Sequence, residues 1–224
     1  MNLPVVQVPE HTRLEQLHVG ASALGVELSP DQAELLLGYQ RLLQRWNEKF
    51  NLVSRGDVAR FLERHLLDSL SIGRWLIGEW VLDLGSGAGL PGIPLAIVNA
   101  ERRFMLVDRS ERKARFLEHA VMTFELNNVD VRCTDVGDLS GEPEFSTIVC
   151  RAVAGFADIW RIAGPLLGEG GRLVFMDRTG ARSAGTLSQP AAEGVPGGLS
   201  IVREQVKIPG LDTHHEVLIV EESR

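Results

Sequence analysis

Hydrophobic positions recur at helical spacing in the first third of the chain and gather into short continuous runs after it. Ser29-Pro30-Asp31-Gln32 combines a cap, a first-turn proline and an acidic start. It predicts a helix through about Phe50, with Leu35, Leu36, Leu42, Leu43 and Trp46 as its apolar face. Asp57 is read as the cap of a second helix carrying Phe61, Leu62, Leu66, Leu67 and Leu70. Trp80 to Leu84 is then an apolar run with one carboxylate, the pattern of a buried strand. Similar runs predict strands at Phe104 to Asp108, near Val129 to Cys133, and at Ser146 to Arg151. A helix end and glycine turn at Leu166 to Gly171 lead into a fifth strand through Val174. Ser110 is read as the cap of an intervening helix whose apolar face is Ala114, Leu117, Val121 and Phe124. Two last runs, Ser200 to Ile208 and His215 to Glu221, flank Pro209-Gly210 and predict an antiparallel hairpin at the sheet edge.

The predicted first strand ends in Asp83-Leu84-Gly85-Ser86-Gly87-Ala88-Gly89-Leu90-Pro91-Gly92. Glycine at every second position lets the backbone turn sharply and meet a ligand that a Cβ would obstruct. Pro91 suits the first turn of the next helix, where its missing N–H costs nothing. From Gly87 the loop fits the dinucleotide frame G-x-G-x-x-G, a weak signal by itself. From Asp83 it reads D-x-G-x-G-x-G and resembles motif I of the S-adenosylmethionine-dependent methyltransferases. Charge separates the two. A pyrophosphate favours helix-end N–H groups without a nearby anion, whereas a strand-end carboxylate suits an ammonium and a sulfonium. Asp108 ends the second strand where an acid grips ribose hydroxyls, and Thr134 to Asp138 forms a turn where an adenine can lie.

Five alternating α/β strands plus a terminal hairpin match the layout of a Rossmann-like, seven-stranded class I methyltransferase sheet with helices on both faces. Residues 1–78 are read as an N-terminal helical extension and residues 79–224 as the methyltransferase domain. The Gly/Ala/Ser/Pro stretch from Thr179 to Gly198 is read as an excursion rather than a domain linker, since only one hairpin follows it.

The chain's 224 residues, 44% hydrophobic, can bury a full core. No apolar run approaches the roughly 20 residues of a membrane span, and no signal-peptide pattern opens the chain. Cys133 and Cys150 make no disulfide framework, and no cysteine/histidine cluster has zinc spacing. A cytoplasmic, metal-free monomer is expected. The net charge of −7 speaks against nucleic acid only weakly, because distribution matters more than the sum. Arg41, Arg45, Lys49, Arg55, Arg60, Arg64 and Arg74 gather before the loop; Arg109, Arg112, Lys113 and Arg115 open the helix after the second strand. Each cluster alone reads as a solvated helix face. Two clusters flanking one pocket make Arg112 and Arg115 candidates for contacting an anionic polymer.

Three further patches carry a closer resemblance: Asn51-Leu52-Val53-Ser54 followed by Arg64-His65-Leu66-Leu67-Asp68-Ser69-Leu70; Val81 through Pro94; and Arg151-Ala152. From about Leu35 to the fifth strand the chain resembles the small-subunit ribosomal RNA guanine-N7 methyltransferases, also called glucose-inhibited division protein B. That resemblance implies S-adenosylmethionine as cofactor and 16S rRNA, or the small ribosomal subunit, as partner. It implies that Gly85, Leu90, Val136, Gly137 and Arg151 line the donor site, beside the motif positions Asp83, Gly87 and Asp108. It also suggests that the face bearing His65 and Ser69 closes over that site; Arg64 and Asp68, four apart, read as an intrahelical salt bridge.

The chain departs from the family where Gly137 replaces an acid, where Cys150 replaces a serine, and where Asp177-Arg178 replaces a Lys-Gly pair. Guanine N7 presents a lone pair and no proton, so methylation there needs no general base. The Asp/Asn-Pro-Pro-aromatic turn of amine methylation is missing after the fourth strand, where Cys150-Arg151-Ala152-Val153 stands. Two rival readings are an RNA cytosine-C5 methyltransferase with Cys150 as nucleophile and an NAD(P)-dependent oxidoreductase. No residue is required as a general base, and Arg151 is the one candidate for a catalytic part.

Overall fold

A computed structural model describes residues 9–54, 56, 60–139, 144–151, 156–177 and 198–222. Its strands are β1 (Trp80–Leu84), β2 (Arg103–Val107), β3 (Val129–Arg132), β4 (Phe145–Arg151), β5 (Leu167–Asp177), β6 (Leu199–Lys207) and β7 (His214–Glu222). They form one sheet in the order β3-β2-β1-β4-β5-β7-β6. The first five run parallel; β7 pairs antiparallel with both β5 and β6. The predicted hairpin is therefore present, with β7 inserted beside β5 and β6 on the edge.

Alternation along the strands divides the core in two. Val81, Phe104, Leu106, Val149 and Val174 face one way, together with the helices before β1 and the two that follow β1 and β2. Leu82, Leu84, Met105, Val107, Ile148 and Cys150 face the other, against Phe156, Ile159 and Trp160. Helices thus cover both faces of a largely parallel sheet, as burial of its strands on both sides requires.

On the first face lie α1 (Glu10–Ala23) and α2 (Pro30–Phe50). A π-helical stretch, Leu62–Leu67, continues into the α-helical turn Asp68–Leu70, together α3. The capping box at Ser29 is formed: Gln32 N donates to Ser29 Oγ at 3.2 Å, and Ser29 N to Gln32 Oε1 at 2.9 Å. Helix α1 has no sequence expectation of its own, because its apolar residues lack a strong helical stripe; it buries Leu17 and Ala21. At Gly20 a Cβ would fall 2.5 Å from the Leu67 side chain, so α1 lies close on α3. These helices share one hydrophobic cluster with the sheet.

Past β1 come α4 (Gly92–Val98), α5 (Glu111–Thr123) and α6 (Phe156–Ala163). Pro91 stands at the cap position of α4, one residue before the first turn. Ser110 occupies the cap position of α5 but makes no side-chain cap bond; its N–H donates to Asp108 Oδ1 at 2.9 Å. The buried face of α5 is Ala114, Phe116, Leu117 and Ala120, with Val121 and Phe124 only half-buried at its rim. The expected cap Asp57, along with Arg55, Ala152, Arg178 and nearly all of the Thr179 to Gly198 excursion, lies outside the described residues. No described helix is long and apolar enough to cross a membrane.

The segment leading into β1 is tied to β4 by one threonine. Ile77 N donates to Thr147 Oγ1 at 2.8 Å, and that hydroxyl donates to Ile77 O at 2.9 Å. Thr147 is fully buried. Thr147→Val keeps the shape and leaves two main-chain groups without partners, so it should cost about 1–3 kcal/mol. Urea unfolding checks this: the midpoint should fall at an unchanged m-value.

Candidate functional site

β1 lies where the strand order reverses, between β2 and β4. Open α/β sheets bind ligands in the crevice beyond the carboxyl ends of such strands. Register sets what meets there. Leu84 pairs with Val107 and Asp83 with Val149. Asp108 therefore stands level with Gly85, and Arg151, two residues past Val149, reaches the same level from the other side. Alternation puts Arg151 on the face of Val149, toward the N-terminal helices, and Cys150 on the opposite face.

Gly85, Gly87 and Gly89 have φ of 73°, 60° and 81°, a region L side chains rarely adopt. A Cβ at Gly85 would meet nothing within 4 Å, so the main chain there borders open space. The loop's last glycine serves packing instead. A Cβ at Gly92 would fall 2.5 Å from Asp83 Oδ2, and without it Gly92 N donates to that oxygen at 3.0 Å. Asp83 is only 1% exposed. The sequence pattern aims this carboxylate at a cationic ligand; its contact in the structure is the start of α4, beneath the loop. Burial pushes the Asp83 carboxyl up to about 7, against the pull of the Gly92 N–H and the Arg151 guanidinium.

Tyr39, on α2, holds the loop from above. Its hydroxyl donates to the Ala88 carbonyl at 2.5 Å, and the ring is fully buried. Burial raises its phenol well above the usual range, so it stays a donor. Sequence reasoning missed this residue. The available signal was the chain's one tyrosine within a largely apolar helix face.

Asp108 is 6% exposed and collects three donors: Gly87 N at 2.9 Å, Ser110 N at 2.9 Å and Lys113 Nζ at 3.2 Å. Lys113, grouped by sequence with the polymer-facing arginines, instead neutralises this acid. The turn after β3 brings Val136, half-buried, and Gly137, exposed, to the neighbouring edge; Gly137 N donates to Asp135 Oδ1 at 3.1 Å. Leu90 turns its side chain into the core, so only its main chain belongs to the loop. Arg112 and Arg115 are exposed on α5, the latter 3.5 Å from Glu111. Cys150 is buried, and burial pushes its thiol up to about 12, so it carries no thiolate at neutral pH.

Arg151 Nη1 lies 3.2 Å from His65 Nδ1 and 4.0 Å from Asp68 Oδ2. Asp68 Oδ1 lies 2.6 Å from His215 Nδ1. The intrahelical pairing of Asp68 with Arg64 is not formed: the carboxylate is fully buried and meets a guanidinium and an imidazole from the sheet instead. His65, Asp68 and Arg151 thus converge, while nothing in the sequence pointed to His215. Among the described residues, no group of three His, Cys, Asp or Glu side chains could hold a metal ion.

A family model described as rRNA small subunit methyltransferase G matches residues 32–189. Ribosomal RNA small subunit methyltransferase G of Methylococcus capsulatus is 37% identical over 201 residues, 90% of this chain and 95% of that protein. The protein of the same name from Marinobacter nauticus is 35% identical, covering 92% and 93%. Among solved structures, the O-methyltransferase TomG of Streptomyces achromogenes, in complex with SAM, superposes with a TM-score of 0.58. The match covers 97% of this chain and 100% of TomG at 15% identity, which is likeness of fold.

Asp83 gives the site a pH signature. Its folded-state pKa lies above the ordinary 3.8, so its contribution to stability is present below about pH 4 and is lost as pH rises through 7. The slope is at most about 1.4 kcal/mol per pH unit. Asp83→Asn removes the ionisation and should gain on the wild type steadily between pH 4 and 7, then run parallel to it. Melting temperatures across that range check this; a constant difference would exclude the raised value.

Proposed function

The chain belongs to the rRNA small subunit methyltransferase G family, and on that premise we propose that it transfers the methyl of S-adenosylmethionine to N7 of a guanine in 16S rRNA of the small ribosomal subunit. The observation that carries this reading is the arrangement at the carboxyl ends of β1, β2 and β4. Gly85 borders open space there in a left-handed conformation, with Asp108 and Arg151 level with it on either side.

The residues present fit the donor. Gly85 and Gly87 offer main chain without side chains, Asp108 an acceptor for ribose hydroxyls, and Val136 and Gly137 a flank for adenine. Leu90 contributes main chain, and Arg151 closes the side toward β4. Asp83 acts from beneath, fixing the loop through Gly92. When bound, the donor supplies an electrophilic methyl on a cationic sulfur, suited to a ring nitrogen that has a lone pair and no proton to lose. The chain's part is to orient both partners and exclude water, and such alignment supplies roughly 7–11 kcal/mol of barrier lowering. No side chain has to take a proton. A cytosine-C5 reaction needs a thiolate, which the buried Cys150, on the far face of β4, does not provide. We further read residues 1–78 as a helical extension packed on the methyltransferase core, with α2 supporting the cofactor loop, since Tyr39 grips it. The chain would act as a cytoplasmic monomer, with Arg112 and Arg115 meeting RNA phosphates.

Mapping modified nucleosides in rRNA from cells with and without this chain tests the proposal. One guanine of 16S rRNA should break under reduction and aniline treatment only when the chain is present, and Cys150→Ala should retain most of the activity. A 5-methylcytidine product would sink the N7 reading.

Contacts from Arg112 and Arg115 to phosphate should show in salt dependence. Changing both to Glu should weaken RNA binding and flatten its dependence on log salt by about two contacts, with donor affinity unchanged. A slope equal to the wild type's would leave these arginines as solvated helix face.

A further inference from the structure

Asp68 is the most deeply buried acid among the described residues, at 0% exposure, and the transfer reaction leaves it without a task. Three elements meet at it. From α3 its Oδ1 lies 2.6 Å from His215 Nδ1 on β7, and its Oδ2 lies 4.0 Å from Arg151 Nη1 at the end of β4. One turn earlier on α3, His65 Nδ1 lies 3.2 Å from the same guanidinium nitrogen. A guanidinium has only donors and keeps its charge. His65 Nδ1 must therefore accept, which fixes that imidazole as neutral with its proton on Nε2. His215 Nδ1 in turn donates to Asp68.

A merely structural role explains this arrangement poorly. Apolar side chains of similar volume generally stabilise a core as well as a buried ion pair does. Here Asp68 Oδ2 has no hydrogen-bond partner, so the carboxylate is held at a cost with its second oxygen turned to Arg151. We propose that Asp68 is a positioning residue for Arg151. Together with His65 it fixes the direction of the guanidinium at a strand position level with Gly85, and His215 holds Asp68, so the terminal hairpin takes part in shaping the donor site. This rests on the reading of Arg151 as a donor-site residue.

Binding of S-adenosylhomocysteine to the full chain, followed by calorimetry, tests the inference with Asp68→Asn, Arg151→Gln and the double variant. Each single change should weaken binding about tenfold, the loss typical of one charge-assisted contact. Because Asp68 acts through Arg151, the double variant should fall within about twofold of Arg151→Gln alone, the usual limit for resolving additivity. Losses that multiply in the double variant, or wild-type affinity in Asp68→Asn, would overturn the inference while leaving Arg151 at the site. Wild-type affinity in Arg151→Gln would overturn the donor-site reading of Arg151 and this inference with it. Thr147→Val, destabilised away from the loop, should bind as the wild type does; a loss matching that of Asp68→Asn would mark both as general loosening and overturn the proposal. Should Asp68→Asn fail to fold, His215→Gln at the partly exposed end of the chain of contacts carries the same cycle. It should bind more weakly than wild type and non-additively with Arg151→Gln, and additive losses would count against the inference.

Discussion

The loop after β1 has to cross the sheet edge on bare main chain, and its hold on that path depends on a buried acid with room to reach the next helix. Asp83 lies beneath the loop and accepts the Gly92 N–H only because Gly92 has no Cβ. That contact satisfies one of the unpaired donors at the start of α4 and fixes where α4 begins. Between β1 and that helix the loop turns on three left-handed glycines, and at Gly85 its main chain borders open space. Burial in so enclosed a place is also what raises the Asp83 carboxyl to about 7.

Two restraints outside the nucleotide motif complete that arrangement. Tyr39 closes on Ala88 from α2, so the helices ahead of the sheet are part of the loop's support as well as cover for its face. Asp68 and His65 meet Arg151 from α3, and His215 ties in the terminal hairpin. Segments from both ends of the chain therefore converge at the carboxyl ends of β1 and β4. A relative's whole length, rather than its sheet alone, is what this chain matches, and coverage above 90% of the related methyltransferases fits that.

Orientation along β4 shows how a single-residue step decides chemistry. Residues next to each other on a strand point to opposite faces. Val149 and Arg151 share the face of the N-terminal helices, and Cys150 lies with Phe156 and Trp160 on the other. The thiol is therefore kept out of the crevice by geometry and kept protonated by burial.

Elements governed by local pattern were legible in the sequence. The Ser29 capping box, the strands of the alternating core, the glycine loop after Asp83 and the terminal hairpin all follow from residue type and period, because neighbours along the chain fix them. Helix α1 was not legible, since it fully buries only Leu17 and Ala21 among its hydrophobic residues while the apolar Val19 faces solvent, which blurs the stripe. Nor were the partners of Asp68 and Lys113. Helical spacing offered Arg64 to the first and solvent to the second, yet Asp68 meets His215, 147 positions away, and Lys113 meets Asp108. Charged groups seek the nearest compensating charge in a low-dielectric interior, and which one is nearest depends on how the strands are ordered and the helices packed. The sequence by itself determined the glycine loop, its carboxylates and the α/β layout; tertiary structure alone decided which acid each cation serves, because those distances come into being only when the sheet closes.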